Sequence, residues 1–144
     1  MFQLAVLLLL VVVVLYTKPR AWSYEKRTGP EYWGKLAATN ATCAQGREQS
    51  PINIVSSQVI ENKKIGGKQI NYMPTTFTLH NNGHTIQANA TTENNRLVVE
   101  GKLYKLTQFH FHTPSEHQFN GQYYDLELHF VHKDESGKLA VLGV

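Results

Sequence analysis

Gln108-Phe109-His110-Phe111-His112 and Glu127-Leu128-His129-Phe130-Val131 are the two stretches on which the reading of this chain turns. Both have strand composition, and successive side chains of a β-strand point to opposite faces. His110 and His112 therefore share one face, while Phe109 and Phe111 share the other and suit burial in a core. In the second stretch Glu127, His129 and Val131 share a face. If the two stretches pair as neighbours, three imidazoles converge on one point. A tetrahedral ion held there keeps its fourth position open, as a catalytic zinc does and a structural zinc does not. An imidazole without a partner is costly to bury among Phe, Leu and Val, which favours a shared ion over an accidental pair. Gln108 and Glu127 stand two residues from a histidine on the same face, placed to accept the second ring N–H and fix the tautomer. The expected cofactor is Zn2+, ligated by His110, His112 and His129. The linking segment adds a further acid, Glu116, and a further histidine, His117.

These stretches, with Ser115-Glu116-His117 between them and His132 at the end of the second, resemble the zinc-binding signature of the α-class carbonic anhydrases in order and approximate spacing. Trp22-Ser23-Tyr24, Gly29-Pro30-Glu31-Tyr32-Trp33, Gln49-Ser50-Pro51-Ile52 and Asn81-Asn82-Gly83-His84 resemble that family's N-terminal aromatic cluster, its Gln-Ser-Pro segment and its proton-shuttle turn. The resemblance runs from Trp22 to Val144. It implies zinc-dependent reversible hydration of carbon dioxide to bicarbonate and a proton. Glu116 would orient the hydroxyl partner of the reacting oxygen. His84 would be the proton shuttle, with Tyr24, Asn82 and Gln87 holding the water path to it. Val131 and Val141 would help line an apolar pocket. A neutral apolar wall suits an uncharged substrate, and a histidine suits a group that accepts and then releases a proton near neutral pH. Taken by itself, Asn-Gly-His is also an ordinary exposed turn.

An α-class domain is longer than this chain, which stops inside a hydrophobic run at Leu142-Gly143-Val144. Residues 22–144 therefore read as a partial domain of that type, incomplete at its C-terminus. Exposed apolar faces and unpaired sheet edges are expected of it. Leu4 to Leu15 is an unbroken aliphatic run followed by Thr17, Lys18, Pro19 and Arg20. It is short for a membrane span and suits a signal peptide, with cleavage near Ala21. No Lys or Arg precedes the run and no A-x-A site follows it, so an uncleaved anchor is the competing reading, and the only one that involves a membrane. Residues 1–21 are thus the expected leader, and the expected location is extracellular. Asn40-Ala41-Thr42 and Asn89-Ala90-Thr91 are glycosylation sequons in polar stretches that read as exposed. Cys43 is the single cysteine. Alone it suggests a free thiol or an intermolecular bridge, whereas the resemblance implies a disulfide to a cysteine in the absent half. The net charge of +3 comes from scattered Lys and Arg without aromatic interleaving, which argues against nucleic acid as a partner. Carbon dioxide or bicarbonate is the expected partner.

Trp22 to Ser50 reads as an irregular arm with a helical turn near Tyr32 to Leu36. Strand-like runs follow at Ile52 to Val55, Thr76 to His80, Thr85 to Ala88, Arg96 to Val99, Leu103 to His112, Tyr124 to Val131 and Leu139 to Val144. The fold class is mainly β and mostly antiparallel, and the resemblance implies a large central twisted sheet. Two rivals are weighed. A cupin site would use His110, His112, Glu116 and a later histidine for iron or manganese, but the flanking glycines of that motif are missing. A non-catalytic secreted binding, storage or matrix protein on the same scaffold is the second, and retention of all three histidines argues against it. Little or no hydratase activity is expected of purified, monomeric chain that ends at Val144, and a stopped-flow hydration assay with added zinc checks this.

Overall fold

The computed structural model describes residues 22–61 and 69–144, so the expected leader lies outside the described residues. The chain divides into a first unit ending at Arg47 and a second running from Glu48 to Val144.

In the first unit three rings hold an otherwise irregular arm together. Trp22, Tyr24 and Trp33 meet edge to face, with centroids 5.2 to 5.7 Å apart. The Trp33 indole N–H is shared between the carbonyls of Ser23 (2.9 Å) and Thr28 (3.0 Å), satisfying the polar end of a large apolar ring. The helical turn expected near Tyr32 to Leu36 is α1, Trp33–Leu36, and a second single turn, α2, spans Thr42–Gln45. A Cβ on Gly34 would stand 2.5 Å from that of Ala44, so the two turns touch through a missing side chain.

The second unit is built from strands β1 (Asn53–Ile54), β2 (Gln69–Asn71), β3 (Phe77–Asn81), β4 (Ile86–Ala90), β5 (Arg96–Val99), β6 (Lys102–His112), β7 (Gln118–Phe119), β8 (Gln122–Tyr123), β9 (Glu127–Lys133) and β10 (Leu139–Gly143). Seven form one sheet in the order β10-β9-β6-β4-β3, with β5 also on β6 and β2 on β5. All its pairings are antiparallel, and the sheet is strongly curled. β1 pairs in parallel with β7, which turns back into β8. The mainly β, mostly antiparallel class expected of the sequence is the class found. Tyr124 to Leu126 lies outside β9, and β2, β7 and β8 lack the apolar alternation that would have marked them.

β6 is the spine. Its first half pairs with β5 and its second with β4, while β9 lies along its other side. Leu106 opposes His132, but Gln108 opposes Val131, so Thr107 is an extra residue in β6, a β-bulge. A bulge changes register by one, and one step of register exchanges the faces of every side chain beyond it. Continued from Leu106 without the bulge, the ladder would set His110 opposite Leu128. With it, His110 opposes His129 and His112 opposes Glu127. The Thr107 hydroxyl donates to the Val131 carbonyl at 2.9 Å, which ties the bulge to β9.

The opposite face carries the core. Phe109 packs on Phe77 and Phe130 at centroid distances of 4.9 and 5.8 Å, close to buried Ala88 and Leu106. His132 is 0 % exposed there, with Nε2 2.6 Å from the Tyr72 hydroxyl and Nδ1 3.2 Å from the Ala140 carbonyl. Burial holds its pKa below the usual value. Phe109 is half-buried and Phe111 is exposed, less covered than the alternation suggested, because Phe111 lies at the β6 terminus opposite Leu128.

Deleting Thr107 would force one half of β6 to turn its present face over, exposing Leu106 or burying the histidines. A loss on the order of 4 kcal/mol or more is expected in denaturant unfolding. Thr107→Val keeps the register and loses about 1 kcal/mol with its single hydrogen bond.

Candidate metal centre

The register of β6 against β9 brings three imidazoles together on the face away from the core. Ring centroids are 4.8 Å apart for His110 and His112, 5.4 Å for His110 and His129, and 4.6 Å for His112 and His129. One nitrogen from each ring lies within 4.8 Å of the others.

Hydrogen bonds assign the tautomers. A Gln side-chain oxygen can only accept, so His110 Nδ1, 2.8 Å from Gln108 Oε1, carries the proton and leaves the Nε2 lone pair available. His129 Nε2 donates to Glu127 Oε1 at 2.6 Å, leaving Nδ1. His112 Nδ1 stands 3.4 Å from Glu116 Oε1, and its buried Nε2 makes no hydrogen bond. The other oxygen of Glu116 is 3.9 Å from His129 Nδ1, so this carboxylate lies against two of the three rings. Burial, reinforced by the neighbouring histidines, lowers the pKa of His110. Burial also lowers that of His112, against the opposing pull of Glu116. Both rings are thereby kept neutral, the state in which imidazole binds a metal.

Glu127 is the anchor of this arrangement. Its Oε2 accepts the backbone N–H groups of Glu116 and His117, both at 2.8 Å, and its Oε1 accepts from His117 Nδ1 at 2.5 Å as well as from His129. Burial alone would raise its pKa, but these hydrogen bonds prevail and lower it to about 2. Gly143, opposite His129 on β10, makes room: a Cβ there would be 3.1 Å from Glu127 Oε1 and 3.6 Å from the His129 ring. Sequence reasoning assigned no role to His117 or Gly143. A glycine inside a strand pattern is a signal of close approach; for His117 no local pattern marks the partner.

Gln108 and Glu127 thus stand where the sequence placed them, each on the second nitrogen of a clustered histidine. Val131 and Val141 oppose each other directly on the His129 face, Val131 half-buried and Val141 exposed. A cleft of about 910 Å³ reaches His129, Glu116, His117 and Val141. In the turn after β3, Asn82 Oδ1 accepts the N–H groups of His84 and Thr85 at 2.9 Å, and Gly83 takes φ +88°. Asn82 Nδ2 lies 3.4 Å from Gln87 Oε1, and Gln87 Nε2 donates to Asn89 Oδ1 at 2.6 Å. Gln87 in turn opposes His110, so this polar row ends beside the histidine cluster. His84 is exposed. Tyr24 belongs to the first unit, within its aromatic cluster.

Asn89 requires a correction. It is not in an exposed polar stretch but half-buried in β4, between β3 and β6 and bonded to Gln87. Small polar residues suggested a loop where sheet pairing on both sides made a strand. Asn40 is half-buried in a tight turn spanning Ala38–Asn40, and Cys43 is an exposed free thiol in α2.

Three imidazole donors, tautomers set by hydrogen bonds and an absence of thiolates fit a zinc ion better than a hard cation. The octahedral cupin alternative would need Glu116 as a ligand, and its carboxylate stands 3.4 Å from His112 Nδ1 and 3.9 Å from His129 Nδ1.

The family model described as eukaryotic-type carbonic anhydrase matches residues 28–141. A carbonic anhydrase of Neisseria gonorrhoeae is 42% identical over 123 residues, covering 85% of this chain and 48% of that protein. Dioscorin DB3L of Dioscorea polystachya is 39% identical, covering 81% and 43%. Among solved structures, the α-carbonic anhydrase of Thermovibrio ammonificans in complex with the inhibitor sulfanilamide superposes with TM-score 0.78 at 41% identity, covering 86% of this chain and 54% of that one. A dioscorin complexed with ascorbate gives TM-score 0.79 at 35% identity, covering 87% and 53%. The chain spans about half the length of these relatives. With a family model matched over most of its length and a sheet that superposes on solved members, the chain belongs to the α-type carbonic anhydrase family.

Proposed function

We propose that this protein carries out zinc-dependent reversible hydration of carbon dioxide to bicarbonate and a proton, using His110, His112 and His129 as the ligands. The observation that carries the reading is the convergence of three imidazoles on one face, two of them oriented by Gln108 and Glu127. Held by three uncharged ligands, zinc keeps its full double positive charge and supplies a strong Lewis acid.

The chain's own residues do the rest. Glu127 fixes His129 and, through Glu116 N–H and His117 N–H, the segment that presents the Glu116 carboxylate to the site. Glu116 is the group that orients a hydroxyl partner of the reacting oxygen. Val131 and Val141 offer an apolar wall to a substrate without charge. His84 takes the proton from the site through water held by Asn82 and Gln87. The aliphatic run before Thr17 supports an exported protein with its leader removed, and Asn40 is the sequon retained for glycosylation.

Similarity to dioscorins supports a second reading, a non-catalytic binding, storage or matrix protein on the same scaffold. Conversion of carbon dioxide by the zinc-loaded chain, beyond the little expected of it, would exclude the second reading.

One zinc per chain is expected by calorimetric titration, and none in His110→Ala, His112→Ala or His129→Ala. Gln108→Leu and Glu127→Gln should each weaken zinc binding by about 10- to 100-fold. A cobalt-substituted sample should give the intense visible bands of tetrahedral coordination; weak octahedral bands would sink the three-histidine assignment.

The pH response follows from the lowered histidine pKa values. Below about pH 6.5 the unfolded chain protonates these rings before the folded chain does, so folded metal-free protein loses stability as pH falls. Glu127 adds to the loss further down, because its stabilisation is complete above about 4.5 and disappears as pH falls toward about 2. Denaturant midpoints measured from pH 7 to pH 3 should fall throughout, and Glu127→Gln should flatten the lower part.

A further inference from the structure

Across the sheet, the line of residues through the metal centre extends past the groups used so far. Directly opposed residues of antiparallel strands face the same way. Gly143 opposes His129, His129 opposes His110, His110 opposes Gln87, and Gln87 opposes His80. His80 is exposed on β3, the end strand of that path, on the face of the three histidines and two strand spacings from His110, roughly 10 Å. We propose that His80 is a second proton-exchange group of the site, working beside His84. The proposal rests on the carbon dioxide reading above.

Each carbon dioxide hydrated yields one bicarbonate and one proton, and the proton must leave before the next turnover. An exposed imidazole takes it at a ring nitrogen from water beside the site, then yields it to a buffer base and returns to neutral, so the charge balances. Gln87 lies between, where it can hold water. Its side chain is held by Asn82 on one side and Asn89 on the other, which fixes polar atoms between His110 and His80. Among the described residues only β4 pairs with β3, and the residues it turns toward His80 on this face, Gln87 and Asn89, carry no charge. Among the described residues His84 in the adjoining turn and His110 beyond Gln87 are ionisable groups on that side. Polar residues on end strands also serve simply to discourage edge pairing, so His80 has to be tested for its effect on proton delivery.

Labelled-oxygen exchange between carbon dioxide and water, followed on zinc-loaded protein, reports interconversion and proton delivery as separate rates. In weak buffer, His80→Ala should lower proton delivery by about twofold or more with interconversion unchanged, and free imidazole should restore it. The His80→Ala/His84→Ala protein should fall below either single variant. Independently of turnover, the His80 ring followed by NMR should titrate a few tenths of a pH unit lower once zinc is added, the effect of a double positive charge roughly 10 Å away. An unchanged delivery rate in His80→Ala, or a ring that ignores the metal, overturns the proposal. Where interconversion is too slow to follow, as expected of the chain ending at Val144, the ring's response to zinc decides alone; failure of the protein to bind zinc overturns the carbon dioxide reading, and this role with it.

Discussion

The pairing of β6 with β9 is the constraint on which the site depends, and a single residue sets it. Thr107 takes up one position in β6 without an opposite number in β9, and beyond it His110 meets His129. Strand alternation alone puts His110 beside His112, but alternation says nothing about which face of the neighbouring strand will look the same way. The bulge settles that, and the same offset keeps Leu106 and Phe109 on the core side together with His132 and Phe130. Core and metal face are therefore fixed by one local irregularity.

Electrostatics then separates the roles of chemically similar groups. Glu127 and Glu116 are both carboxylates near His129, yet Glu127 is saturated by four N–H donors while Glu116 stands at longer range from two rings. The first is a buried anchor that stays ionised, while the second lies against two of the clustered rings. His132, three residues along from His129, shows the same division among histidines. On the core face its two nitrogens meet a tyrosine hydroxyl and a carbonyl, which makes it a packed and satisfied ring with no part in the metal cluster.

Much of this was legible in the chain. The period-two pattern through Phe109 to His112 and Glu127 to Val131 marked the strands, their faces and the three histidines. The amide and carboxylate two residues before His110 and His129 marked their hydrogen-bond partners. What escaped is of a different kind. The bulge at Thr107 has no residue signature, because a threonine in a strand is unremarkable until its partner strand is known. Asn89 read as part of an exposed polar stretch because its neighbours are small and polar, whereas pairing on both sides of Asn89 overrode that local preference. β2, β7 and β8 are two or three residues long, and pairings of that length are decided by their neighbours. His117 reaches Glu127 only after the segment between β6 and β9 has folded back.

Gly143 ties the fate of the cluster to a strand that donates nothing to it. A methyl group at that position would press on the Glu127 carboxylate, which four donors hold in place and which therefore has little freedom to withdraw. A descendant of this chain could keep all three imidazoles, pass inspection by any motif that looks for them, and still lose their arrangement through one added carbon on β10. The emptiness beside the cluster is thus as much a part of it as the rings themselves.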